Sequence, residues 1–194
     1  MIRAVLAACL SGLMAGLIPT SSVANDLHIA AVKAYIDENV ISWIHDPRIV
    51  EALKNSNAYH QYLTPKDIDR LDGQWRTEFR AKSKPLISSI LNNALSMMLR
   101  DKQAKADGIV TELMVMDAKG LAIGESDMTS DYWQGDELKW QNTYLAGPNI
   151  TFVDRAEKDD STQMLQAQAS MTISDPETGQ PIGAITVGVN LDAL

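Results

Sequence analysis

The sequence predicts an α+β domain in which several helices come first and about five antiparallel strands follow. Two observations carry this prediction. Apolar residues recur every three or four positions from Asn25 to about Asp107, and from Ile109 onward they alternate with polar residues. The period changes near Gly108, so we predict a helical part over residues 25–108 and a sheet part over residues 109–194 of one domain.

Residues 1–24 resemble a secretory signal peptide and are excluded from the predicted fold. Arg3 precedes an uncharged run that ends at Ile18, and Ser22-Val23-Ala24 has the small residues that signal peptidase requires. The run has roughly 15 residues, fewer than the ~20 that a spanning helix needs. We therefore expect cleavage after Ala24 and a periplasmic location. An uncleaved anchor, or a lipoprotein modified at Cys9, is the alternative.

The composition excludes two classes of protein. The chain of 194 residues has 17 Lys and Arg against 25 Asp and Glu, a formal net charge of −8. Removing Arg3 with the signal changes this to −9, a sign that opposes binding to nucleic acid. Cys9 is the sole cysteine, so neither a disulfide framework nor a multi-thiolate metal site can form within the chain.

The helical half carries clear local signals. A long amphipathic helix is predicted over residues 25–46, and it can either pack on the sheet or form a homodimer with a second copy. Further helix starts are predicted at Asp46-Pro47, Thr64-Pro65 and Ser83-Lys84-Pro85, where a polar residue stands before a proline. The last of these starts a single helix that should end before Gly108.

The sheet half divides at turn sequences such as Asp117-Ala118-Lys119-Gly120 and Asp175-Pro176-Glu177-Thr178-Gly179. The strands that they separate are predicted over residues 109–116, 121–125, 150–156, 164–173 and 182–191. Between the second and third strands lies a polar segment, residues 126–144, in which we predict a short helix.

Catalytic and metal-binding patterns are absent from the sequence. It contains no HExxH, no GxSxG, no glycine-rich phosphate loop and no EF-hand spacing. Glu125, Asp127, Asp131 and Asp136 could supply oxygens to calcium, but their spacing matches no known calcium loop. We therefore predict no enzyme, no catalytic residue, no metal site and no cofactor.

The polar segment is the best candidate for a binding site. Tyr132, Trp133 and Trp140 have an apolar body and a polar edge, which suits the wall of a small-molecule pocket. Lys139 could bind an anionic ligand and Asp136 could bind an ammonium group. Alternatively, both tryptophans only cover the open face of the sheet as part of the core.

Nearly all of the mature chain resembles a single Cache domain, the PAS-like extracytoplasmic sensor module of bacterial chemoreceptors and sensor kinases. The matching stretches are residues 43–47, 71–78, 111–117, 119–127, 129–140 and 175–190. Of these, Ser130-Asp131-Tyr132-Trp133-Gln134-Gly135-Asp136-Glu137 with Lys139-Trp140 is the most distinctive. The resemblance implies a long N-terminal helix and a five-stranded antiparallel PAS-like sheet.

In such domains the pocket lies between the sheet and the segment that links its second and third strands. The resemblance thus places Tyr132, Trp133, Lys139 and Trp140 near a ligand, with Arg155 and Ser170 as weaker candidates on strands. Small carboxylates and amino acids are typical ligands. The arginine, tryptophan and tyrosine pattern of amino-acid sensors is absent here, which argues against an amino acid.

A receptor would continue beyond Asp192 into a transmembrane helix, whereas this sequence ends at Leu194. We therefore expect a free periplasmic small-molecule-binding protein for signal transduction or chemotaxis, without its own transmembrane or output domain. Its expected partners are a small metabolite, such as a carboxylate, and a membrane receptor or kinase. The alternative is a ligandless interaction module that partners such a receptor.

Overall fold

A computed structural model describes residues 20–158 and 164–194. Most of the predicted signal peptide, residues 1–19, lies outside the described residues. The helices are α1 (Thr20–Asn39), α2 (Pro47–His60), α3 (Pro65–Phe79), α4 (Pro85–Leu91), α5 (Ala94–Ala104) and α6 (Leu138–Gln141), with a 3-10 turn at Tyr144–Ala146.

Two of the predicted helix starts are confirmed with their caps. The Asp46 side chain accepts the backbone N–H of Arg48, and Pro47 is the first residue of α2. Thr64 and Asp67 form a reciprocal capping box at the start of α3. A proline at the first helical position costs no hydrogen bond, because the first N–H group of a helix has no partner within the helix.

The other two helix predictions are wrong in their extent. The first helix ends at Asn39 and not near residue 46, because the Asn39 amide donates to the Tyr35 carbonyl and the Trp43 indole donates to the Asn39 carbonyl. The Asn39 carbonyl would accept the backbone N–H of Trp43 in a further helical turn, but that N–H donates to Val40 and the indole takes its place. The helix predicted to run from Pro85 towards Gly108 is two helices, because Asn93 caps the second one through the backbone N–H of Ser96.

The sheet is antiparallel, and its strand order is β2-β1-β6-β5-β3, with the short β4 paired to β5. Its strands are β1 (Val110–Asp117), β2 (Ala122–Glu125), β3 (Thr151–Val153), β4 (Glu157–Lys158), β5 (Leu165–Ser174) and β6 (Pro181–Asn190). The α+β PAS-like fold is therefore as predicted, and the predicted short helix in the polar segment is α6.

The two faces of the sheet carry different cores. Along β1, Leu113 and Val115 face the first cluster, which α1, α2 and α5 cover. Met114 and Met116 face a second cluster, which α3, α4 and the segment after β2 cover. This alternation is the period-two pattern of a strand that is buried on both faces. Within the described ranges, no helix has the length and apolar character needed to cross a membrane.

Candidate functional site

Residues 126–146, which we call the covering segment, lie over the second face of the sheet and are held by α3. The Trp75 indole donates to the Thr129 carbonyl at 2.9 Å. Asp72 Oδ1 accepts the backbone N–H groups of Tyr132 and Trp133 at 3.0 and 3.1 Å. The rings of Trp75 and Tyr132 stack with centroids 5.2 Å apart. These contacts fix the first half of the covering segment on a rigid helix.

The covering segment is also fixed to the β1–β2 turn by its two tryptophans. The Trp133 indole donates to the Lys119 carbonyl at 2.8 Å, and the Trp140 indole donates to the Asp117 carbonyl at 3.1 Å. Gly120 has φ +78°, and a Cβ there would lie 2.7 Å from the backbone of Gly135. The turn and the covering segment therefore approach each other as closely as glycine allows.

A cavity of about 490 Å³ lies between α6 and the strands β3 to β5. Its walls come from the covering segment, from the β3–β4 region and from one face of β5. They are formed by Glu137, Leu138, Lys139, Asp154, Arg155, Glu157, Gln166 and Gln168. The volume is within the range of small-molecule sites, which is about 300–1,000 Å³.

Of the predicted ligand-binding residues, the structure brings Lys139 and Arg155 together in this cavity. The other five lie elsewhere. Ser170 is fully buried in a hydrogen bond with the hydroxyl of Thr186 at 2.8 Å.

The remaining four belong to the covering segment, but they do not line the cavity. Tyr132 and Trp140 are in the second core cluster, and Trp133 packs against that cluster. Asp136 is exposed to solvent. Trp133 and Trp140 pack on the second core cluster, and together with Tyr132 they position the segment that carries Lys139.

The charges around the cavity are mixed. Arg155 Nε lies 2.6 Å from Glu157 Oε1, and both side chains are mostly exposed. Lys139 forms no ion pair or side-chain hydrogen bond with any residue that the structure describes. Gln168 donates to Glu112 at 2.6 Å, which leaves its amide oxygen available to accept a hydrogen bond. The cavity can therefore supply cations and amide groups to a polar ligand.

The glutamines of the cavity were missed by the sequence analysis, although a signal for them exists. On β5 polar residues occupy every second position, in the order Gln166, Gln168, Ser170 and Thr172. The residues between them, from Ala167 to Ile173, face the first core cluster. Of this polar stripe, Gln166 and Gln168 border the cavity, whereas Ser170 and Thr172 are buried, so the alternation indicates the polar face but not where along it the cavity lies.

A buried acid lies at the start of the covering segment. Glu125 is 0% exposed, and the Thr129 hydroxyl donates to its carboxylate at 2.9 Å. Burial raises the pKa of Glu125 to about 8, and the nearby carboxylates of Glu112 and Asp131 add to the effect. Its proton therefore stays bound at neutral pH, which allows the carboxyl to be buried without a cation.

No group of three or more His, Cys, Asp or Glu side chains in the described part of the chain could hold a metal ion. His28 Nε2 lies 3.1 Å from the carbonyl of Asp154, and His60 Nδ1 lies 2.6 Å from Asp117. The first contact joins α1 to the strand end beside the cavity. The second joins α2 to the end of β1.

No protein-family model matches the chain. No curated protein matches it either. Among solved structures, the ligand-binding domain of the Campylobacter jejuni chemoreceptor Tlp3, in complex with 4-methylisoleucine, is 15% identical over 74% of this chain and 57% of its own, with a TM-score of 0.40.

The ligand-binding domain of the Pseudomonas aeruginosa amino acid chemoreceptor PctC, in complex with GABA, is 12% identical over 75% of this chain and 56% of its own, with a TM-score of 0.41. The sensor domain of the Vibrio cholerae histidine kinase DctB is 11% identical over 89% of this chain and 58% of its own, with a TM-score of 0.41. This chain thus spans a little over half the length of these structures. All three are sensor or ligand-binding domains, the class of protein that the sequence motifs resemble.

Proposed function

We propose that this protein is an extracytoplasmic sensor domain that binds a small monocarboxylate in the cavity between α6 and β5. The observation that carries the proposal is the ammonium group of Lys139. It borders a cavity of about 490 Å³ and is unpaired among the described residues. A cation without a partner beside such a cavity is suited to an anionic group of a ligand.

The lining supports one carboxylate and not several. Two cations, Lys139 and Arg155, stand against three carboxylates, Glu137, Asp154 and Glu157. A ligand with one negative charge can bind at Lys139 and Arg155, whereas a second or third charge would face these acids. Like charges in such proximity oppose binding.

The amides of Gln166 and Gln168 add specificity without charge. Both lie on the cavity side of β5, and the free amide oxygen of Gln168 can accept a hydrogen bond from the ligand. A hydroxyl or amide group next to the carboxylate would satisfy it. The favoured class is therefore a short monocarboxylate with a further polar group, such as a hydroxy acid.

The location and the partners rest on the sequence. The signal-like residues 1–24 support an exported protein. The Cache resemblance of residues 111–140 and 175–190 supports a role in which ligand binding is reported to a membrane receptor or kinase. The outcome of ligand screening decides between this role and a ligandless interaction module.

The test is a thermal-unfolding screen of the purified protein with matched monocarboxylates and dicarboxylates, for example lactate and malate. A ligand at about 100 times its Kd adds about 2.7 kcal/mol to the free energy of unfolding. For a domain of this size that raises the Tm by roughly 5–10 °C. We expect the increase with monocarboxylates, and we expect its loss in Lys139→Ala.

Lys33→Ala is the matched control, because it removes the same charge from an exposed position on α1. It should leave the response unchanged. A panel of carboxylates without any Tm increase would contradict the proposal and favour the interaction module. A response that Lys139→Ala retains in full would refute the assigned site.

A further inference from the structure

A second cavity, of about 360 Å³, lies between α2 and the α4–α5 region, away from Lys139. Its walls are largely apolar and include Ala52, Ile90, Leu95 and Ile123. Two side chains with a free hydrogen-bonding atom also border it, His60 and Tyr132. The proposed carboxylate site uses neither of them.

His60 is oriented by a fully buried carboxylate. Its Nδ1 lies 2.6 Å from Asp117 Oδ2, and Asp117 is 0% exposed. Asp117 also accepts the Ser56 hydroxyl and the backbone N–H groups of Lys119 and Leu121. A carboxylate that accepts all these bonds acts as an acceptor only, so Nδ1 of His60 carries the hydrogen.

This arrangement leaves His60 Nε2 free. Nε2 forms no hydrogen bond within the described ranges. In the neutral ring it is an acceptor, and in the protonated ring it is a donor. The imidazole is mostly buried, with 12% of the side chain exposed. A ligand in the cavity therefore meets a fixed nitrogen atom whose orientation does not depend on the ligand.

Tyr132 presents a second free group. The residue is 3% exposed, and its ring stacks on Trp75. The backbone N–H of Tyr132 binds Asp72, but its hydroxyl forms no hydrogen bond with the residues that the structure covers. Burial raises the pKa of Tyr132, so the hydroxyl keeps its proton and remains able to donate.

We propose that this second cavity binds a small neutral molecule with an apolar body and a hydroxyl group, of the phenol or short-alcohol class. A hydroxyl can donate to Nε2 of His60 and can accept from the hydroxyl of Tyr132. A carbonyl can only accept, and a protonated amine can only donate. Among the residues that the structure describes, the walls contain no lysine, arginine or acidic side chain. The buried Asp117 behind the imidazole opposes an anion.

The test uses phenol as the probe and follows backbone NMR shifts of the full protein during titration. We expect saturable shifts of residues around the cavity, and Tyr132→Phe should weaken phenol binding about tenfold, or by 1.4 kcal/mol. Ala52→Phe, which fills the cavity from α2, should abolish binding. Tyr62→Phe is the matched control, because Tyr62 is 84% exposed and does not line the cavity.

Two further variants separate the proposal from nonspecific binding. His60→Asn keeps a donor for Asp117 and deletes Nε2, so it should fold and bind phenol more weakly. Benzoate has the same ring with a charged group, and we expect it not to bind in this cavity. The proposal is overturned if phenol gives no saturable shifts, if Tyr132→Phe binds it like the wild type, or if benzoate binds as well as phenol.

Discussion

Replacing Asp72 by alanine should destabilise the protein strongly, although the residue lies outside both cavities. Asp72 Oδ1 is the acceptor for two successive backbone N–H groups, those of Tyr132 and Trp133. Its Oδ2 pairs with Arg76 at 2.7 Å. Alanine leaves two donors of the covering segment without a partner beside the second core cluster.

The magnitude follows from these bonds. The donor that stays buried without a partner costs about 1–3 kcal/mol, and the donor that water can reach loses a hydrogen bond with a net contribution of about 1 kcal/mol. We therefore expect Asp72→Ala to lower the free energy of unfolding by about 2–4 kcal/mol. For a domain of this length that corresponds to a Tm lower by roughly 5–15 °C.

Asp72→Asn separates the two functions of the side chain. The amide oxygen can still accept both N–H groups, and only the pair with Arg76 is lost. Arg76 is 58% exposed and lies one helical turn away, so that pair contributes about 0.3–0.5 kcal/mol. Asp69→Ala, at an exposed position of the same helix, should change stability by less than about 0.5 kcal/mol.

Urea unfolding followed by tryptophan fluorescence measures all three variants. The expected order of stability is wild type and Asp69→Ala, then Asp72→Asn slightly below, and Asp72→Ala far below. The reasoning is refuted if Asp72→Ala is as stable as Asp69→Ala, or if Asp72→Asn is as unstable as Asp72→Ala. The first result would mean that α3 does not hold the covering segment through this carboxylate.

Two further predictions concern single side chains. The pKa of Glu125 rises from 4.5 to about 8 on folding, so the unfolded state loses its proton first and stability should fall between about pH 4.5 and 8, by a few kcal/mol in total. Urea midpoints of the wild type should fall relative to those of Glu125→Gln over this range, and parallel curves would contradict the burial argument. Asn93→Ala removes both the cap of α5 and a hydrogen bond to the carbonyl of Ile123, and should destabilise by about 2 kcal/mol. Thermal unfolding compares it with Asn92→Ala, an exposed neighbour expected to have little effect; equal losses would show that Asn93 is not the residue that separates the two helices.

Local signals predicted the helix starts well, and long-range contacts explain where the prediction failed. Thr64 and Asp67 form their capping box from residues three positions apart, so the sequence contains all of that information. The break between α4 and α5 depends on Asn93, which binds both the N–H of Ser96 and the carbonyl of Ile123. The second partner lies 30 residues away on β2, and nothing in the local pattern indicates it.

The polar segment of the sequence corresponds to the covering segment, but of the five residues predicted to bind a ligand there, only Lys139 lines the cavity between α6 and β5. The sequence shows that residues 133 and 140 are tryptophans, and every tryptophan has a polar edge that can donate a hydrogen bond. The sequence does not show that the backbone carbonyls of Lys119 and Asp117 are the acceptors. Those carbonyls lie in a turn that the tertiary structure brings next to the tryptophans. The sequence pattern alone therefore does not show whether a tryptophan lines a pocket or holds the segment in place.

Lys139 lines the cavity between α6 and β5, and the tryptophans of the covering segment, which do not line that cavity, hold Lys139 in position. Lys139 precedes Trp140, and the Trp140 indole is bound to the same residue, Asp117, whose carboxylate orients His60 at the second cavity. The helix α6 has only four residues and little rigidity of its own, so the anchored Trp140 indole fixes the position of the neighbouring Lys139. Trp140→Phe would keep most of the apolar contact and delete the indole hydrogen bond. Because Lys139 would then be held less firmly, we expect Trp140→Phe to reduce the Tm increase that a carboxylate produces. The Tm of the ligand-free protein should fall by less.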